Sequence, residues 1–158
     1  MTRLHVAVVG AGEATDEQVA AAEVVGATLA AAGAVVVCGG LGGVMAAACR
    51  GAKSAGGTTV GILPGTSRAD ANEWVDIAIA TGLGEGRNAI VVRDVDAVVA
   101  VGGAYGTLSE IALALRAGVP VVGWRTWQLT DPSGDWVPII PEDDPAEAAQ
   151  TALRFARG

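Results

Sequence analysis

Val37-Cys38-Gly39-Gly40-Leu41-Gly42-Gly43-Val44-Met45 is the stretch on which the fold turns. Apolar residues of a strand run into glycines, and the glycines run into an Ala-rich segment of helical composition. Without Cβ atoms the main chain can come close to a ligand, and the start of the helix offers free N–H groups and a partial positive charge. The same glycines would also serve a tight turn with close helix–sheet packing. The spacing is not GxGxxG, and no acidic residue follows about 20 positions later at the end of the next strand, so NAD is not expected.

Outward from this turn, strands alternate with helices. Leu4–Val9, Ala34–Cys38, Thr58–Leu63, Trp74–Ile79, Ala97–Val101, Val119–Gly123 and Trp136–Ile139 read as strands. Several are unbroken Val/Ile/Ala runs, which marks strands covered on both faces. Thr15 and Gln18 have capping-box spacing, so a first helix should start there and stop at Gly33. Further helices are expected from Gly43 to about Ala55, over Gly86–Arg93, over Thr107–Ala117 and from Pro145 to Phe155. Pro64–Asn72 and Arg125–Asp135 read as irregular, the latter as a surface hairpin. The pattern predicts one Rossmann-like, doubly wound α/β domain over residues 1–158. Its sheet is mainly parallel with helices on both faces, and its ligand site lies at the carboxyl ends of the strands.

A second glycine cluster, Gly102-Gly103-Ala104-Tyr105-Gly106-Thr107-Leu108-Ser109-Glu110, also lies between a strand and a helix. Thr107 and Glu110 have the spacing of another capping box. Glu110 could equally be a carboxylate held beside a phosphosugar. Two such turns in one small domain are far more specific than either alone. The expected ligand-binding positions are Gly39, Gly40, Gly42, Gly43, Val44 and Met45 in the first, and Gly103, Ala104, Tyr105, Gly106 and Thr107 in the second. Gly10, at the end of the first strand, joins them.

Composition narrows the ligand. Of 158 residues only 4% are aromatic, the net charge is −7, and there are 23 glycines. No basic stripe exists to neutralise a polyanion, so nucleic acid is not an expected partner, whereas backbone amides can hold one small phosphate. Neither a signal peptide nor a membrane-spanning run is apparent, and cytoplasmic location is expected. Cys38 and Cys49 have no metal spacing and read as reduced thiols. Glu142-Asp143-Asp144 reads as a solvated helix start rather than a metal site, and His5 as structural.

The two glycine turns resemble those of the LONELY GUY (LOG) family, once labelled lysine decarboxylase-like, in a superfamily shared with DprA. Cys38–Met45 is similar to its GGGxxGLM, Gly102–Glu110 to its PGGxGTxxE, and Gly56–Pro64 to its GGxVxGVxP. Cys38, Gly102 and Ala104 replace a Gly, a Pro and a Gly of those patterns. The resemblance implies nucleoside 5′-monophosphate phosphoribohydrolase activity, with Arg87 and Glu110 as the catalytic pair, no required cofactor and no metal. Asn88 stands where that family has Lys. The chain also resembles a short branch that includes molybdenum-cofactor carrier proteins, which implies a phosphorylated pterin held without being transformed. Assembly as a dimer or tetramer goes with either; the tryptophans of the Trp124–Trp136 segment would form a subunit contact, the favoured role, or cover a ligand. Decarboxylation is not expected: a pyridoxal enzyme needs a Schiff-base lysine, and Lys53, the only lysine, falls on the second helix.

Overall fold

The computed structural model describes residues 2–158. Seven strands form one sheet: β1 (His5–Gly10), β2 (Val35–Cys38), β3 (Thr58–Leu63), β4 (Ile77–Ala80), β5 (Ala97–Val101), β6 (Val121–Trp124) and β7 (Ile139–Pro141). Their order is β4-β3-β2-β1-β5-β6-β7, and every neighbouring pair is parallel. The winding reverses between β1 and β5, which opens a crevice at their carboxyl ends.

The helices are α1 (Asp16–Ala31), α2 (Val44–Ser54), α3 (Asn88–Val91), α4 (Tyr105–Arg116) and α5 (Pro145–Ala156). One face of the sheet packs on α1, α2 and α5 around Val6, Val8, Val36, Val99 and Leu153. The other packs on α3 and α4 around Ala7, Val9, Val98, Ile111 and Val121. Strands covered on both faces need apolar residues at every position, which is why β5 (Ala-Val-Val-Ala-Val) is wholly buried.

Small residues set how closely the layers meet. A Cβ on Gly26 of α1 would stand 2.0 Å from the Ala48 carbonyl oxygen of α2, and one on Gly51 of α2 would stand 2.0 Å from that of Glu23. The two backbones therefore touch where the helices cross. The capping box that opens α1 is formed: Gln18 N–H donates to Thr15 Oγ1 at 3.2 Å, and Thr15 N–H to Gln18 Oε1 at 3.1 Å.

Four segments differ from the sequence reading, one of them α4, which starts at Tyr105 rather than Thr107. Gly86–Arg93 is not one helix but a 3-10 turn, Gly84–Arg87, followed by the single turn of α3. Gly82 precedes the 3-10 turn and Gly84 opens it, both with positive φ, outside α-helical geometry. Strand β4 starts at Ile77 rather than Trp74, because Asn72 Oδ1 accepts from Trp74 N–H and holds that residue in a turn. Trp136 is outside β7; it forms an isolated antiparallel bridge with Thr130 that closes the expected hairpin.

Candidate functional site

The helix α4 begins two residues before the expected Thr107, and this changes the roles of two side chains. Its N-cap is Ala104, with extended backbone (φ −109°, ψ −165°) and no side-chain cap. Thr107 is then the third helical residue, buried, and caps nothing. Glu110 lies a further turn in and is equally free of a capping role. The amides of Gly103, Ala104, Tyr105, Gly106 and Thr107 have no acceptor among the described residues; Leu108 N–H makes the first helical bond, to Ala104 O at 3.1 Å. An unbroken run of amides at a helix N-terminus is suited to an anion.

The first turn is arranged differently. Gly40 N–H donates to Cys38 Sγ at 3.3 Å and Val44 N–H to Ala11 O at 3.0 Å, so two of the amides expected to face a ligand are already engaged. Asn72 fixes the turn from outside: its N–H reaches Gly40 O at 2.9 Å and its Nδ2 reaches Leu41 O at 2.9 Å. Gly39 and Gly40 are buried and Gly42 is exposed. Gly10 is a packing glycine, since a Cβ there would lie 2.6 Å from Val44 Cγ1. Met45 is buried with its sulfur over Gly39.

Arg87 and Glu110 come together beneath this turn. Arg87 arrives from the 3-10 turn, 9% exposed, with its guanidinium against Gly39, where a Cβ would stand 2.7 Å from Nη2. It donates to Asn88 Oδ1, while its Nε is buried without a partner. Asn88 Nδ2 in turn donates to Ser109 Oγ on α4 at 3.2 Å, tying the arginine segment to the second turn. Burial pushes the Glu110 carboxyl up to about 7, against the opposing pull of the Arg87 guanidinium. A buried carboxyl poised near neutrality beside a cation is an arrangement enriched at functional sites. Cys38 and Cys49 are free thiols with Sγ atoms 3.4 Å apart.

Other residues are accounted for structurally. Lys53 Nζ bonds Asp76 at 2.8 Å and the Gly57 carbonyl at 3.0 Å, so its amine is engaged in a structural pair. Asp144 caps α5 and Glu142 accepts from Thr151, and no metal-ligating cluster occurs among the described residues. Among the described residues no helix is long and apolar enough to cross a membrane. Sequence reading missed Asn72; of the tryptophans it placed in the irregular segment, Trp127 donates its Nε1–H to the Ala104 carbonyl at 3.2 Å from outside both turns.

An all-parallel, doubly wound sheet with two glycine turns at its carboxyl edge defines a Rossmann-like α/β protein. More narrowly, the chain belongs to the SLOG cluster4 family, whose model matches residues 3–149. An uncharacterized protein of Archaeoglobus fulgidus is 48% identical over 125 residues, covering 79% of this chain and 82% of its own. The structure of the molybdenum cofactor binding protein from Rippkaea orientalis superposes with a TM-score of 0.88 at 35% identity, covering 100% of this chain and 99% of that one. The molybdenum cofactor carrier protein of Chlamydomonas reinhardtii gives a TM-score of 0.83 at 32% identity, over 99% and 100%.

Proposed function

We propose that this protein binds a phosphorylated pterin of the molybdenum-cofactor type and carries it without transforming it. The observation that carries this reading is likeness along the whole chain, at 32–35% identity, to proteins described as molybdenum cofactor binding or carrier proteins. The local geometry is compatible with it. The free amides of Gly103–Thr107 suit the phosphate, and Gly106 leaves its approach open, with only Asn88 Nδ2 as close as 4.0 Å to a Cβ there. Gly42 and the exposed Gly12 border the crevice from the other side. Gly10, Gly39, Gly40, Gly43, Val44 and Met45 shape its floor, and Arg87 adds positive charge.

The experiment is a calorimetric titration with the molybdenum cofactor, run beside an incubation with adenosine 5′-monophosphate. Binding of the cofactor and no release of adenine are expected. Release of adenine and ribose 5-phosphate, lost in Glu110→Gln, would sink the carrier reading.

That second outcome corresponds to the phosphoribohydrolase reading, favoured by one observation: Glu110 is a buried carboxyl next to Arg87 with no structural cap to make. There Glu110 would engage the ribose hydroxyls or position a water as C1′ gains oxocarbenium character, and Arg87 would pair with the phosphate or with Glu110. Assembly into a dimer or tetramer in the cytoplasm belongs with either reading, and light scattering checks the assembly.

A further inference from the structure

Tyr105 is the only tyrosine of the chain and is 81% exposed, directly on the run of free amides. An aromatic ring in water at that place adds little to the core. Its centroid is 5.9 Å from that of Trp127, the planes inclined at 31°. Trp127 is held in place on two sides: its Nε1–H donates to Ala104 O at 3.2 Å, and its ring packs against the core beneath α3 and α4. Between Gly102-Gly103 and the segment Arg125–Gln128 lies a shallow, open groove of about 420 Å³. A second, of about 460 Å³, shares Arg125–Gln128 and continues toward Trp136 and Ile139. Both volumes fall in the range of small-molecule sites.

Two details set the same segment apart. Thr126 Oγ1 is buried without a hydrogen-bond partner, which proteins rarely leave so. Arg125 has φ 48°, a left-handed backbone that a non-glycine residue adopts only when its surroundings impose it. The Arg125 guanidinium is engaged with Glu17 and lies 4.7 Å from the Trp124 ring centroid. The cation of that segment is thus paired, and the aromatic rings are the part of the surface beside the amides left without a partner charge.

We propose that the open groove between Gly102–Gly103 and Arg125–Gln128 takes the planar part of the phosphorylated ligand, a fused two-ring nitrogen heterocycle stacked against the outer side of the Trp127–Tyr105 pair. The inference rests on the phosphate reading above and gives it a direction. From the phosphate at Gly103–Thr107 the ring extends toward β6, away from the β2 side, where Arg87 and Glu110 stand.

The test compares calorimetric affinities for guanosine 5′-monophosphate, neopterin 3′-phosphate and ribose 5-phosphate. The proposal expects both ring-bearing ligands to bind at least about tenfold tighter than ribose 5-phosphate. Trp127→Ala and Tyr105→Ala should each shrink that preference roughly 5- to 100-fold, as loss of one stacking ring does elsewhere. Trp127→Phe, which keeps a ring but loses the Nε1–H, should retain most of it. Tyr105→Ala removes an exposed side chain, so folding is not at stake in that arm. If ribose 5-phosphate binds and neither variant alters the preference, the ring subsite is overturned and the phosphate reading stands. If no phosphorylated probe binds at all, both fall. The tighter of the two ring-bearing probes distinguishes pterin from purine.

Discussion

In the first glycine turn the protein itself fills the room that missing Cβ atoms leave. Arg87 lies over Gly39, Leu63 against Gly40 and the Ala11 carbonyl against Gly43, while Asn72 holds two carbonyls from outside. In the second turn Gly103, Ala104, Tyr105 and Gly106 face solvent with their amides unspent. The two motifs look alike as sequence. One is used as architecture that seats an arginine, the other as a surface that presents donors.

The comparison breaks most visibly through stability. Gly43 has φ +59°, and a Cβ there would stand 2.2 Å from Ala11 O. Gly43→Ala should therefore cost about 4 kcal/mol, left-handed strain and overpacking together. In a chain of this length that lowers Tm by about 8–16 °C. Gly106→Ala meets nothing closer than 4.0 Å and should leave Tm unchanged or slightly raised. Equal melting of the two variants would abolish the distinction between the turns.

Glu110 lies between the turns, and its titration reports on both. Its folded value of about 7 is above the ordinary 4.5, so the folded protein holds this proton more tightly than the unfolded chain does. The stability it contributes is complete below about pH 4.5 and is lost as pH rises through 7. Glu110→Gln stays neutral throughout. Its stability relative to wild type should rise by about 3 kcal/mol between pH 4 and pH 8, read from urea midpoints. A flat difference would mean that the pull of Arg87 cancels the effect of burial and leaves the folded carboxyl at its ordinary value.

Next in size is a binding effect confined to the second turn. Gly106→Asp puts a carboxylate among the amides while favouring the start of α4 electrostatically. It should weaken a phosphorylated ligand about 100-fold with stability changed by no more than about 0.5 kcal/mol. Calorimetry with thermal melting on the same samples separates the two. Undiminished binding would move the phosphate away from α4.

Much of this frame could be read before the structure. β3 and β5 both fall at the expected residues, β5 because a strand buried on both faces leaves an unbroken apolar run. The Thr15–Gln18 box was legible because the signal and its consequence lie within four residues. Thr107–Glu110 carries the same spacing and means something else. The chain leaves β5 through Gly102 and Gly103, turns at Ala104, and is helical before Thr107 is reached. Local spacing cannot report where a backbone begins to coil when glycines precede it. Asn72 and Trp127 lie in loops and act on the turns across 31 and 23 residues, so no periodicity marks them. Arg87 was legible as a residue, but its burial against Gly39 depends on the 3-10 turn that replaced the expected helix.

The smallest effect tests why α4 has no cap at all. Asp144 caps α5 and Thr15 caps α1, yet at Ala104 the extended backbone of an N-cap is present without a side chain to use it. Ala104→Ser would supply an Oγ to accept from Gly106 or Thr107 N–H and should raise stability by about 0.5–1 kcal/mol. If those amides are kept free for a ligand, the same substitution should weaken phosphate binding several-fold, because the new hydroxyl competes for the donors. A gain in stability with unchanged affinity would make the missing cap an accident of sequence. A gain in stability with a loss of affinity would mean that a bound anion, rather than any residue of the chain, is the cap of α4.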